Sequence, residues 1–356
     1  REAGNQFARH DWLFRRALHP FWVPIWSKYI NFKGSSAHSI TDVIDYWRAH
    51  MAGGADRPLF AFLNLMQPHL PYQPPQDYLD RVAPELRSDR RAYQFIGRFN
   101  TDGAAWASPP PEPYSDWQRQ AFDAFYDAEI AYQDALLGKL FNDLETSGAL
   151  ANTFVIITAD HGEGLGEHDL FGHGFATHQE LVHVPLIMRG ADRVPMGGQV
   201  GDNVSTRRIF HTLLDVAGVA HPEAQALSLL RTVRGDDPEA GIAYAEAVPP
   251  TTFLHVLEHR DPASIARLRL ALTWRAVYAG QHKLMMAGET PTALYDVAAD
   301  PAEMDNLIDR EPTLTAAPVH APPTLSRTVA TGRMGTAEHA AMTAAAAEHL
   351  RAPGYL

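Results

Sequence analysis

Five of the chain's eighteen histidines (His161, His168, His173, His178 and His183) fall within residues 155–190, "VIITADHGEGLGEHDLFGHGFATHQELVHVPLIMRG". Asp160 and His161 place a carboxylate beside an imidazole, a hard and a borderline donor that together suit a divalent cation. Glycines at 162, 164 and 166 let the backbone turn sharply and approach a bound group closely. Other chemistries fail on spelling. A dinucleotide loop needs a third glycine where Glu167 stands, and the only Gly-Lys pair, Gly138-Lys139, is followed by leucine rather than Ser or Thr. "HQELVH" spaces its histidines five apart, so they would not share a helical face, and G-x-S-x-G is absent.

These residues need a scaffold. "NTFVIITAD" and "VPLIMRG" read as buried strands on either side of the histidine loop, and "PLFAFLNLM" (58–66) reads as another. "QPHLPYQPP" follows it, with four prolines that exclude regular structure and form an ordered loop carrying His69. A helix ends near "DVIDYWRAH", and a long one spans "YSDWQRQAFDAFYDAEIAYQDALLGKLFNDLETSG". Ser115 and Gln118 stand in capping-box spacing at the start of the long helix, and Gly148 suits its stop. Phe122, Phe125, Ile130, Leu136, Leu137, Leu140 and Leu144 give it an apolar face. "STRRIFHTLLDVAG" (205–218) is a capped helix ending at Gly218. Strands alternating with helices predict an α/β fold with a largely parallel sheet, whose ligands sit beyond the strands' carboxyl ends.

After about residue 240 the texture changes to short strands, "IAYAE", "LRLALTW", "RAVYAG", "HKLMMA" and "ALYDV", which predict a small antiparallel sheet. The expected organisation is a domain over 1–238, an antiparallel subdomain over 239–310, and an Ala/Pro-rich tail over 311–356 with a helix near 336–350.

Composition bounds the function. Apolar residues make up 46% and charged residues 20% of 356, ordinary for a globular protein. A net charge of −12 disfavours nucleic acid and anionic membranes as partners. No apolar run is long enough for a membrane span. The absence of cysteine removes disulfides, thiolate metal sites and thiol nucleophiles. Localisation stays open between cytoplasmic and periplasmic or secreted, and so does the oligomeric state.

"TADHGEGLGEHDLFGHG…ELVHVPLIMRG" resembles the sulfatase branch of the alkaline phosphatase-like superfamily. "FAFLNLMQPHLPYQPP", the approach "YDAEIAYQDALLGKLFNDLETSGALANTFVIITADHGE", "VSTRRIFHTLLDVAG", "YAE", "LYDVAADPAEMDNL" and the terminal "LRAPGYL" are similar to it in the same order. The resemblance implies an alkaline phosphatase-like sandwich, with a largely parallel sheet between helices and a small C-terminal antiparallel sheet. It implies that Asp160 and His161 ligate one divalent metal ion, calcium first, with manganese, magnesium or zinc as alternatives. His69 would touch the anionic group or the leaving oxygen. His173 stands where many relatives carry lysine, and as an imidazolium could stabilise developing charge or protonate the leaving oxygen. His168, His178 and His183 are expected to pack or cap, Glu163 and Glu167 to shape the loop, and Lys283 to be an ordinary strand residue. Residues 72–115, with the aromatic opening (Trp12, Phe14, Phe21, Trp22, Trp26), are expected to wall the pocket.

The resemblance also implies a nucleophile that this sequence does not spell. The family's C/S/T-x-P-S-R-type motif, whose cysteine or serine becomes formylglycine, is missing. "KGSSAHS" (33–39) is the nearest polar cluster, lacks the proline and the arginine, and reads as a flexible loop. With Arg1 at the start, the expectation is a sequence lacking the N-terminal portion of a longer protein, with apolar strand edges left unpaired and poor solubility. The function implied is a metal-dependent sulfuric ester hydrolase acting on a small-molecule sulfate or phosphate ester. A phosphodiester or phosphonate hydrolase, or a phosphoethanolamine-type transferase, of the same fold is the nearest alternative. A non-catalytic anion- or partner-binding remnant is the alternative of a different class.

Overall fold

In the computed structural model, which describes residues 33–312 apart from 55–56, 103–104, 107–109, 111 and 191–192, the first described helix is entered at Ser35. The Ser35 hydroxyl accepts a hydrogen bond from the His38 amide and caps helix α1 (Ser36–Ala52). "KGSSAHS" is therefore a helix start, not a flexible loop. A serine beside polar neighbours serves either purpose, and the apolar residues Ile40 and Ile44 behind it decide for the helix.

Helices α2 (Gln76–Val82) and α3 (Arg90–Thr101) follow, and then α4 (Asp116–Thr146). The capping box of Ser115 and Gln118 is formed, and Gly148 takes the left-handed backbone (φ 75°) that ends such a helix without a Cβ clash. Two faces of α4 are used. Its first half buries Ala121, Phe122, Phe125 and Ala128 against Leu79, Ile96 and Phe99 of α2 and α3, while Leu140 meets Ile40 and Ile44 of α1. Ile130, expected on the apolar face, is 43% exposed because it falls between these two faces. Residues of the 72–115 segment thus contribute to the core.

Strand β1 (Val155–Thr158) is followed by a tight hairpin of β2 (Gly164–Leu165) and β3 (Phe171–Gly172), then by the short helix α5 (Gln179–Val182) and β4 (Leu186–Arg189). Phe171 fixes the hairpin to the helical layer, with ring centroids 4.5 Å from Phe99 and 4.7 Å from Phe122. Rings at such tilted contacts add to the burial of their own area.

The described residues do not show the expected parallel sheet. Every strand pairing among the described residues is antiparallel, β1 with β4 from Val155↔Arg189 to Thr158↔Leu186. Residues 58–66, expected as a buried strand, form no ladder. They keep the two-residue alternation of a strand, with Leu63 and Leu65 packed toward α1 and α4 while Phe60 (71% exposed) and Phe62 (82%) face outward. The pattern fits a sheet, but no partner strand lies beside it among the described residues. Ile187 of β4 is also exposed.

Helix α6 (Arg208–Ala217) begins three residues after Ser205 and ends at Gly218, φ 67°. The chain then builds a four-stranded antiparallel sheet in sequential order, β5 (Ile242–Ala247), β6 (Trp274–Ala279), β7 (His282–Ala287) and β8 (Thr290–Asp296). This is the small C-terminal sheet expected. "LRLALTW" is an exception, since only Trp274 of it joins a strand and the rest closes a helical turn after Pro262–Arg267. Ala243, Ala276, Tyr278 and Met285 form one face of the sheet, and Val182 at the end of α5 packs on it. The aromatic opening and the tail helix lie outside the described residues.

Candidate functional site

Asp160 and His161 stand directly past the end of β1. The His161 amide donates to Asp160 Oδ1 (3.1 Å), which turns the carboxylate toward the ring that follows. His161 Nδ1 lies 2.8 Å from the Gly162 carbonyl. A carbonyl only accepts, so Nδ1 carries the proton and Nε2 presents a lone pair, 3.7 Å from Asp160 Oδ2. Gly162 is compelled here: a Cβ at this position would come within 2.0 Å of the Glu180 carbonyl, where the Gly162 amide bonds Leu181 O (2.8 Å).

The β2–β3 hairpin brings His173 against this pair. Its ring stacks on His161 with centroids 4.0 Å apart, and its Nδ1 lies 2.9 Å from Glu163 Oε1. A carboxylate accepts, so His173 Nδ1–H is the donor, which leaves Nε2 outside this bond. Burial alone pushes the His173 imidazole down, but the bond to Glu163, that residue's charge and Asp160 beyond it outweigh burial, so its pKa lies above the ordinary 6.5. The hairpin's close fit again depends on glycine, since a Cβ on Gly172 (φ 73°) would lie 2.3 Å from the Trp106 carbonyl.

His69 arrives from the proline-rich loop, its ring 5.3 Å from His173 and edge-on to it. Its Nδ1 donates to Leu70 O (2.8 Å), which leaves Nε2 as an acceptor. Glu129, fully buried on α4, holds this loop: it accepts from Gln67 and from the Gln73 amide (2.6 Å) on either side of His69. Lys33 bridges the same carboxylate and the Pro71 carbonyl (3.0 and 2.9 Å). Burial pushes the Lys33 ammonium down, with Glu129 opposing. Asn100 clamps the next residue with its amide, accepting from Tyr72 N (2.9 Å) and donating to Tyr72 O (2.7 Å).

Asp160 and His161, singled out by residue type, and His173 and His69, named through the family resemblance, therefore lie together near one end of β1. The donor set there fits a divalent cation: an exposed carboxylate and an imidazole lone pair face the same gap, a half-shell whose remaining ligands would come from elsewhere. His173 can deliver a proton from Nε2, and His69 can take one.

Other histidines behave differently. His183 is exposed, and Glu167 shapes its turn by accepting from the Leu165 amide (2.6 Å). His168 and His178 lie on the far side of the loop, their rings stacked at 3.8 Å. His178 Nδ1 is 2.8 Å from Glu303 Oε2, and Lys283 donates to Glu303 Oε1. Lys283 is thus not an ordinary strand residue, since it is fully buried and paired. Nothing local in the sequence announces Glu303; the one available sign was an acidic residue in "DPAEMDNL" following directly on a strand.

Residues 11–219 match the family model described as Sulfatase, and residues 166–318 match one described as N-sulphoglucosamine sulphohydrolase, C-terminal. Among curated relatives, the chain is 28% identical over 261 residues to the uncharacterized sulfatase YidJ of Escherichia coli, 72% of this chain and 48% of that protein. It is 31% identical over 192 residues to arylsulfatase K of Mus musculus, 54% of this chain and 33% of that one. The chain thus spans about half the length of these relatives or less. A phosphonate monoester hydrolase of Agrobacterium radiobacter superposes with a TM-score of 0.57 at 23% identity, over 82% of this chain and 59% of that one, which shows a shared fold.

Proposed function

Because the chain belongs to the sulfatase family, we propose that it carries the metal-binding and leaving-group half of a sulfuric ester hydrolase. The observation that carries this reading is the pairing of Asp160 Oδ2 with the lone pair of His161 Nε2 across 3.7 Å, beside a His173 ring stacked at 4.0 Å. Asp160 and His161 would hold one divalent ion, calcium first, with manganese, magnesium or zinc as alternatives. When bound, such an ion polarises an ester oxygen and fixes its position.

The chain's own residues divide the proton work. Glu163 fixes the His173 tautomer, so the second proton of the imidazolium sits on Nε2, aimed at the leaving oxygen. The alkoxide that departs from a sulfate ester is a poor leaving group, so protonating it in the transition state lowers the barrier. His69 has the opposite polarity: with Nδ1–H committed to Leu70 O, its Nε2 accepts a proton or orients a hydroxyl. The Glu129–Lys33 knot keeps His69 at this distance.

The nucleophile is assigned to residues outside these 356, which contain no cysteine and no Ser or Thr in the family's pattern. The substrate class is a small-molecule sulfate ester. A phosphonate or phosphodiester hydrolase is the second reading, favoured by one feature: the imidazole of His161 suits manganese or zinc better than calcium.

The two readings part on paired substrates. The gene product that contains this chain is assayed with 4-nitrophenyl sulfate and with a 4-nitrophenyl phosphonate monoester, each with added metal. Faster turnover of the sulfate supports the proposal. Faster turnover of the phosphonate replaces it with the second reading, and turnover of neither leaves a non-catalytic binding protein.

A further inference from the structure

Residues from two distant parts of the chain converge beside α5. His168 comes from the turn of the β2–β3 hairpin, His178 caps α5, and Glu303 follows β8. Each can offer one ligand atom, and these atoms all lie within 4.8 Å of one another. A tetrahedral ion with bonds of about 2.0 Å spaces its ligands about 3.3 Å apart, so small rotations of the two rings would close the group around an ion.

The surroundings favour ligation over simple packing. His168 (φ 52°) and Glu303 (φ 56°) are both non-glycine residues in left-handed backbone. That conformation is disfavoured for a residue with a Cβ, and is held only where the surroundings over-determine it. Glu303 has no exposed side-chain surface, while His168 (14%) and His178 (11%) keep a narrow opening to solvent through which an ion could enter. Glu180 reaches within 3.9 Å of His168 Nε2 and stands at the same opening.

We propose that His168, His178 and Glu303 form a second metal site, for a zinc-like divalent ion, which ties the hairpin of the candidate active site to the C-terminal sheet. Two imidazoles and a carboxylate are a donor set that zinc prefers. The ion would occupy the His178 Nδ1–Glu303 Oε2 gap, and the His178 proton would move to Nε2. Lys283 remains on Glu303 Oε1, as an outer partner that orients the ligating carboxylate. The site is structural, since it lies against β7 and α5 rather than at the end of β1. It does not depend on which ester is hydrolysed.

The test uses zinc ion alone, added to chelator-stripped protein carrying Asp160→Asn and His161→Ala, which removes the other pair. Bound metal is counted by atomic emission after dialysis, and cobalt(II) absorbance reports ligand geometry. The expected result is one zinc per chain and a tetrahedral cobalt spectrum. His168→Asn keeps a residue that tolerates left-handed backbone, and His178→Gln keeps a donor to Glu303. Each should weaken zinc binding by at least about tenfold while the thermal melt of the stripped protein stays cooperative. No zinc bound in the doubly substituted background overturns the proposal. Equal affinity after either histidine is replaced overturns it as well.

Discussion

Acid should loosen the junction between hairpin and C-terminal sheet before it affects the rest of the molecule. His168 sits half-stacked between His178 and solvent, and its pKa falls from an ordinary 6.5 to about 4, first through burial and then through His178 and Lys283. The unfolded chain therefore binds a proton at pH 5 that the folded chain refuses. A group with a lowered folded pKa contributes stability that is full above the unfolded value and is lost as pH falls toward the folded one. The window is therefore 6.5 down to about 4. At pH 5 the loss relative to pH 7.5 works out at about 2 kcal/mol for this single group. Glu303 also has a lowered pKa: burial pushes it up, but the bonds from His178 and Lys283 outweigh burial. Its contribution fades only below the ordinary 4.5, so pH 5 isolates the histidine. Glu180, raised by its burial, acts in the opposite direction but is present in both proteins compared. Urea unfolding in chelator at pH 7.5 and pH 5.0, on the wild type and on His168→Asn, measures the difference. The wild type should lose about 2 kcal/mol more than the variant on acidification. Equal losses would refute the neutral, buried state of His168 and the argument built on it.

Further outcomes follow from single contacts. Glu303→Gln strands Lys283 without an anion in a site with no solvent, and chemical unfolding should show a loss of about 3–5 kcal/mol; Lys283→Met in the same chain should recover part of it. Gly162→Ala drives a methyl into the Glu180 carbonyl, and its thermal melt should reveal a cost of about 3 kcal/mol. Phe122→Ala empties the centre of the ring cluster holding Phe171, so a loss of about 3–5 kcal/mol is expected, with faster amide exchange in β2 and β3. The 356 residues alone should show no efficient turnover; metal-dependent ester hydrolysis by this chain, abolished by Asp160→Asn, would show that reasoning to be wrong.

What the sequence made legible was local. The capping box at Ser115, the stop at Gly148 and the turn-forming glycines after Asp160 are written within a few residues, and so is the grouping of His161 and His173 on one loop. His69 could be placed beside them only through its resemblance to a family, because its partners Glu129 and Lys33 lie on other elements. The knot of His178, Lys283 and Glu303 was missed for the same reason. Its members stand up to 125 residues apart and carry no periodicity, so a buried lysine looked like any other strand residue. Residues 58–66 show the converse. Their alternation of Leu63 and Leu65 against Phe60 and Phe62 is that of a strand, but strand propensity makes no ladder without a neighbour to bond. The parallel order of the sheet was inferred from alternating elements, and the described residues show only antiparallel pairings, β1 with β4 among them. The helices between β5 and β6, Thr251–Arg260 and Pro262–Arg267, lie in a stretch to which the strand reading of the C-terminal part assigned no element.

The most direct test of the central claim is sulfate-ester turnover by the gene product that contains this chain, compared between wild type and Asp160→Asn at saturating metal. The account predicts hydrolysis that a chelator removes and metal restores, and a fall in kcat of about a hundredfold or more when the Asp160 carboxylate is lost. Turnover that survives both the chelator and Asp160→Asn would contradict it.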